Sequence, residues 1–316
     1  MRLYFVSDIH GSHTCWLKFL RSASFYGADV IVVGGDLTGK FIVPIVTEPD
    51  GRVTCTFRGV KRRLRNDEDI ATLRTQIAAS GAYAFEGTRE EVDALQASPA
   101  CMEELFHRVV LERVEHWMRL ADERLAGSDV RCVVNAGNDD FFAVDDVLAS
   151  SNRVSVPEGR VLDLGHGVEM VACGYANLTP WRCPRDIPED ALAERIADAI
   201  APLRDPSRAI FNFHVPPFDT GIDTAPRLTE DHRPVLGPTG EPQMVPVGST
   251  AVREAIEANA PLLGLHGHIH ESRGIRRLGA TTVINPGSEY AAGVLHGALV
   301  DFDRKGRIRQ AQLVSG

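Results

Sequence analysis

Eight short runs of apolar, mostly β-branched residues punctuate the chain. They are 2–7 (RLYFVS), 29–35 (DVIVVGG), 130–137 (VRCVVNAG), 168–176 (VEMVACGYA), 208–213 (RAIFNF), 262–267 (LLGLHG), 281–285 (TTVIN) and 298–303 (ALVDFD). These runs are continuous rather than alternating, the pattern of strands buried on both faces. Segments with helical spacing lie between some of them, at 14–26, 186–202 and 249–260. Ser249 or Thr250 is positioned to cap the last, with Glu254 supporting it a turn later. Strands alternating with helices predict a layered α/β fold. One stretch breaks the rhythm. Residues 40–59 read as a β-hairpin around Pro49-Asp50-Gly51, and the sequence from 62 to 126 is charged and helix-favouring. No linker flanks it, so the expectation is one domain over 1–316 with a hairpin-plus-helical insertion, or cap, at about 40–128.

Composition narrows the class. With 316 residues, 44% hydrophobic and 24% charged, the chain is neither a disordered tail nor a fibre. Lys+Arg number 34 and Asp+Glu 43, a net charge of −9. A protein that binds nucleic-acid backbones normally carries a basic excess, so nucleic acid is not the expected partner. No run approaches the roughly 18 apolar residues of a membrane span, and the N-terminus lacks a signal-peptide core and cleavage site. Six cysteines without a C-x-x-C pair read as reduced thiols. These features predict a soluble cytoplasmic protein without a membrane partner.

The chemistry sits where strands end. Asp8 and His10 follow the first strand, Asp36 the second, and Asn138, Asp139 and Asp140 the third; His214 follows 208–213, and His268 and His270 follow 262–267. In α/β sheets the carboxyl ends of strands face one crevice, so these residues converge. Oxygen and imidazole donors in this mix suit Mn, Fe, Zn or Ni better than Ca. Two carboxylates, one amide and four imidazoles exceed the needs of a single ion. They predict two divalent metal ions about 3.5–4 Å apart, bridged by one carboxylate. Imidazoles ligate only when neutral, so acid should strip the metals. Asp140, His266 and Asn285 are the candidates for fixing ring tautomers.

The order D-x-H, G-D, G-N-x-D, H and G-H-x-H, from residue 8 to residue 270, resembles the calcineurin-like metallophosphoesterase superfamily. Each block alone is weak, whereas five in order, each ending a strand, are specific. The stretches HVPP, VGSTAVREAIE, GHIHESRG and INPGSEY are similar to a bacterial and archaeal branch of that family with no assigned substrate. The resemblance implies a β-sandwich flanked by helices (αββα) and a dinuclear centre that hydrolyses phosphate esters. By position, Asp8, His10 and His270 would hold one ion, Asn138, His214 and His268 the other, and Asp36 would bridge them. The expected reaction is attack of metal-bound hydroxide on a small-molecule phosphodiester or phosphomonoester. A weakly active or non-catalytic scaffold of the same fold, and a metal-dependent nuclease, are the alternatives.

One position departs from the family pattern. Many members carry a His after the Asn of the third block, as general acid; here Asp139 holds that place. A carboxyl with an ordinary pKa of about 3.9 is ionised at neutral pH. Either Asp139 is perturbed, or His13, His166 or His232 substitutes, or the substrates have good leaving groups. Elsewhere, Gly34–Lys40 (GGDLTGK) matches the spacing of a phosphate loop, but Phe41 stands where Ser or Thr is needed, leaving Lys40 a residue of the site's rim. Lys61-Arg62-Arg63-Leu64-Arg65 reads as a solvated face, as do His107 and His116, and His296 as structural. Leu105, Val109 and Trp117 in 101–125 suit core packing or a homodimer contact, with a lid over the substrate as the alternative.

Overall fold

A computed structural model describes residues 1–316. The apolar runs form two six-stranded sheets. The first has the order Ile308–Ser315, His296–Phe302, Arg2–Val6, Val30–Val33, Arg131–Val134, Val154–Ser155. The second runs Gly274–Leu278, Thr281–Asn285, Leu263–Leu265, Ala209–Phe213, Val168–Cys173, Leu162–Gly165. Arg2–Val6, Val30–Val33 and Arg131–Val134 are mutually parallel, as are the four central strands of the second sheet. Their carboxyl ends, where the polar motifs sit, therefore point one way within each sheet.

Alternate residues of each central strand enter different cores. Leu3, Phe5, Val30 and Val32 meet Met170, Ile210, Leu263 and Ile284 between the sheets. Tyr4, Val6, Ile31 and Val33 face outward onto Trp16, Phe19 and Trp117 of helices His13–Tyr26 and Pro99–Arg124. On the opposite side Val171, Phe211 and Phe213 pack under Leu192, Ile196, Val252 and Ile256 of helices Glu189–Ile200 and Thr250–Asn259. The layers are helix, sheet, sheet, helix. A strand covered on both faces needs no polar alternation, which is why the runs are continuous. The αββα sandwich expected of a metallophosphoesterase is the architecture observed. No helix is long and apolar enough to cross a membrane.

The inserted segment differs from the expectation of a hairpin followed by helices. The hairpin forms between Ile42–Thr47 and Val53–Phe57. Val60–Leu64 then adds antiparallel to Val53–Phe57, and Tyr83–Thr88 adds parallel to Ile42–Thr47, giving a four-stranded sheet. Charge conceals the strand at 60–64: it lies on an edge, where only Leu64 is buried and Lys61 and Arg63 remain in solvent. Edge strands commonly carry such charges because they discourage pairing with other chains. Three helices complete the insertion, Asp67–Ala79, Arg89–Ala97 and Pro99–Arg124. Within the last, Leu105, Val114 and Trp117 are core residues, and Trp117 stacks on Trp16 with ring centres 5.0 Å apart. Val109 is only partly buried.

The helix Thr250–Asn259 is capped by Ser249, whose hydroxyl accepts from the Val252 amide. The carboxylate that supports its first turn is not Glu254. Glu189, from the neighbouring helix, accepts from the Ser249 hydroxyl and from the Thr250 and Ala251 amides.

Candidate metal centre

The seven side chains at the strand ends come together. Asp8, Asp36 and Asn138 arrive from the first sheet, and His214, His268 and His270 from the second, with His10 on the loop after Asp8. The loops are laced by backbone bonds: the Asp8 amide donates to Gly35 O, the His10 amide to Asp36 O, and the Gly267 amide to His214 O. The His268 amide donates to both Asp8 carboxylate oxygens at 3.0 Å, joining the two sheets.

Turning these side chains inward takes unusual backbone. Asp8, His10, Asp36 and His268 all have positive φ, at 57°, 37°, 51° and 66°. Non-glycine residues seldom occupy this region, though Asp and His do so more readily than most, and it clusters at functional sites. Two glycines of the motifs make room. A Cβ on Gly137 would lie 2.2 Å from the Asp36 amide and carboxylate, and one on Gly267 would lie 2.2 Å from Asp8 Oδ2.

Three overlapping groups of potential ligand atoms result: Asp8, His10 and His270; Asp36, His214 and His268; and His10, Asp36 and Asp139. Within them His10 Nε2 lies 3.0 Å from His270 Nε2, and His270 Nε2 is 3.4 Å from Asp8 Oδ1. Asp36 turns Oδ2 to His10 Nε2 at 3.6 Å and Oδ1 to His214 Nε2 at 3.2 Å. Two atoms each about 2.1 Å from one ion can be no more than about 4.2 Å apart, so these spacings suit a divalent cation. Two buried atoms, His214 Nε2 and Asn138 Oδ1, have no hydrogen-bond partner, a costly state that a cation relieves.

Backbone carbonyls set the ring tautomers. His10 Nδ1 faces Thr38 O at 3.3 Å and His214 Nδ1 faces Gly34 O at 3.1 Å, so an Nδ1–H leaves each Nε2 lone pair inward. Asp140, His266 and Asn285, the sequence candidates for this task, touch no ligand ring. Asp140 accepts from the Leu37, Thr38 and Gly137 amides and the Thr38 hydroxyl, tying the Asp36 loop to the Asn138 loop. Asn285 shapes the 267–269 turn by donating to Gly267 O and Ile269 O, and His266 faces Phe213 O. The residue sequence reasoning missed is Asp186, whose Oδ1 accepts from Asn138 Nδ2 at 2.8 Å and leaves the amide oxygen without a hydrogen-bond partner. Its one signal was indirect: a ligating Asn needs an acceptor for its NH2. Tyr290, of the INPGSEY stretch, flanks the centre with its ring 4.7 Å from that of His10.

Asp139 donates its amide to Asp36 Oδ1 at 3.0 Å. Its carboxylate oxygens meet the Cys183 thiol at 3.1 Å and the Lys40 ammonium. Lys40 therefore reaches into the site. Burial opposes its charge, but Asp139 outweighs burial and holds its pKa above the ordinary value. The substitute acids lie elsewhere. His13 accepts from Trp117, His166 sits in the turn at the amino end of Val168–Cys173, and His232 is exposed beside Trp181.

The two central carboxylates are held ionised by the imidazoles around them. Burial works against charge on Asp8, yet the His270 contact and the His214 charge hold its pKa down at about 2. Asp36 is held well below the carboxylate range against burial by His214 and His10. Burial alone would depress His214, but Asp36 and Asp8 lift it to about 9, whereas His268 is pushed by burial to about 4.

No family model matches the chain. A curated relative, "Uncharacterized protein MJ1162" of Methanocaldococcus jannaschii, is 27% identical over 179 residues, spanning 56% of this chain and 70% of the relative. The structure of TT1561 of Thermus thermophilus aligns with a TM-score of 0.54 at 16% identity, over 100% of this chain and 97% of that one. Yfce, a phosphoesterase from E. coli, aligns with a TM-score of 0.34 at 13% identity, over 99% and 98% of the two chains.

Proposed function

We propose, on the premise that this chain has the calcineurin-like metallophosphoesterase fold, that it is a cytoplasmic metal-dependent hydrolase of small-molecule phosphodiesters or phosphomonoesters. In this reading Asp8, His10 and His270 hold one divalent cation, Asn138, His214 and His268 hold the second, and Asp36 bridges them. The observation that carries it is Asp36 presenting one oxygen to each of two His/Asp groups, beside a buried imidazole nitrogen and an amide oxygen that lack partners. Cations of the Mn, Fe, Zn or Ni class would supply Lewis acidity for water attack and neutralise charge on the phosphoryl group.

The protein's own groups divide the remaining work. Asp8 and Asp36 enter as carboxylates, and the carbonyls of Thr38 and Gly34 keep His10 and His214 in the ligating tautomer. Asp186 orients the Asn138 amide. Asp139, the positional candidate for general acid, accepts from the Cys183 thiol and pairs with the Lys40 ammonium. Its role is to hold Lys40, and the Lys40 ammonium offers positive charge and a proton at the departing oxygen.

The test is hydrolysis of a chromogenic phosphodiester and its monoester after reconstitution with Mn²⁺, against a chelated control. The expected result is chelator-sensitive turnover that Asp36→Asn abolishes while the circular dichroism spectrum is kept. Full activity in Asp36→Asn sinks the site assignment. Bound metal with no turnover on either ester points to a narrow substrate, whereas no turnover and no bound metal favours the scaffold.

A further inference from the structure

The insertion forms a cavity of about 510 Å³ between its sheet and the helices Arg89–Ala97 and Pro99–Arg124. Eight of its 13 lining residues are hydrophobic, with Phe85, Leu95, Met102 and Phe106 in its walls. Lys40 and Glu103 are the charged lining residues. Of its lining residues Phe41 is 66% exposed, and Lys40 belongs to both places: it lines the cavity and its ammonium meets Asp139. Asp139 Oδ2 is in turn 3.8 Å from His10 Nδ1. The cavity and the metal centre are thus linked through Lys40 and its contact with Asp139.

From this juxtaposition we infer that the cavity takes the organic group of the phosphate ester, and that this group is uncharged and apolar, an aryl or alkyl substituent. The assignment rests on the phosphoesterase reading above. Pockets of this size with mainly apolar walls and a few polar groups are the usual form of a small-molecule site. The polar end belongs to the phosphate, drawn by Lys40 and the metal centre. The walls provide little to read a nucleobase edge, since Gln96 is the one uncharged side chain there with hydrogen-bonding capacity. A one-carbon ester group would leave the apolar surface wet, whereas an aryl group would displace that water, and affinity should rise with the apolar area buried.

The test is titration calorimetry of the Mn²⁺-reconstituted full chain with methylphosphonate and 1-naphthylmethylphosphonate, which have no ester bond to break. The naphthyl compound is expected to bind tighter by about tenfold or more. Met102→Glu should erase that preference and leave methylphosphonate affinity unchanged. Leu95→Glu, on a different helix, should do the same and serves if Met102→Glu fails to fold. Asp36→Asn should weaken both ligands equally. Equal affinities for the two phosphonates in the unsubstituted protein overturn the cavity assignment while leaving metal-dependent hydrolysis intact. Tighter binding of a nucleoside monophosphate than of the naphthyl compound also overturns it. Metal-loaded protein that binds no phosphonate and hydrolyses no ester overturns the functional reading itself.

Discussion

His10 and His270, 260 residues apart in sequence, bring their Nε2 atoms to 3.0 Å. The Nδ1–H of His10 is engaged by Thr38 O, so its Nε2 presents a lone pair to the other ring. A cation shared by both rings would take that lone pair. His270→Ala should lower bound metal by about one ion per chain and cut turnover more than the roughly 100-fold typical of residues that merely orient ligands. Metal analysis on purified protein reads this directly. An unchanged metal content would remove His270 from the ligand set.

Asp186 makes a different prediction, because it touches a ligand without being one. Asp186→Ala frees the Asn138 NH2, and the amide is then no longer held in that orientation. Metal affinity should fall about 10- to 100-fold with little change in stability. Competition against a fluorescent chelator measures it, and an unaltered affinity would show that Asn138 is held by other means.

Asp140 acts on folding. It is fully buried and accepts from three amides and a hydroxyl across two loops. Asp140→Ala strands those donors and should cost about 3–5 kcal/mol, since each unsatisfied buried donor is worth about 1–3 kcal/mol and the terms do not simply add. Denaturant unfolding checks it. A loss below about 1 kcal/mol would mean that the loops are set independently of Asp140.

Lys40 should reveal itself through the leaving group. Lys40→Met removes the cation beside Asp139. Turnover of esters with poor, alkoxide-like leaving groups should drop by about 10²- to 10⁴-fold, the usual range for a positioned proton donor, and nitrophenyl esters should be affected far less. A uniform loss across leaving groups would assign Lys40 to binding alone.

The pH dependence of stability should follow His13. The Trp117 indole donates to His13 Nδ1 at 3.1 Å, which requires that nitrogen to be unprotonated. Burial, reinforced by the Arg113 charge, pushes the His13 pKa from 6.5 down to about 4. As pH falls below 6.5 the unfolded chain takes up the proton first. Stability from this residue is therefore full above about 6.5 and is lost progressively toward pH 4. Unfolding midpoints measured from pH 7 to 4 should fall more steeply for the unsubstituted protein than for His13→Gln, and parallel profiles would show that another group dominates.

The central strands and the polar residues that end them were legible because the two signals reinforce each other. A continuous apolar run reports burial on both faces, and a polar residue immediately after it can only lie at the sheet's end. Edge strands were not legible. Val60–Leu64, Gly274–Leu278 and Ile308–Ser315 bury few residues and carry charges or amides, so their composition resembles loop. Asp186, and the reach of Lys40 from the rim to Asp139, were hidden for another reason. Their importance comes from contacts with Asn138 and Asp139, far away in sequence, and nothing in their own neighbourhoods reports a distant partner. The left-handed backbone at Asp8, His10, Asp36 and His268 is equally silent, because a motif specifies a residue type and not its φ.

The strand Arg2–Val6 is made long before one of its two neighbours in the sheet: Val30–Val33 lies on one side and His296–Phe302 on the other. The loop it leads into meets residues 268–270 and 288. On the ribosome this strand must therefore wait, one edge unpaired, until residues 296–302 have emerged. A chain cut short before residue 214 lacks every candidate ligand that the second sheet supplies, and it keeps an open apolar edge. Such fragments should be prone to aggregate, and the full set of candidate ligands comes together only after synthesis has passed His270.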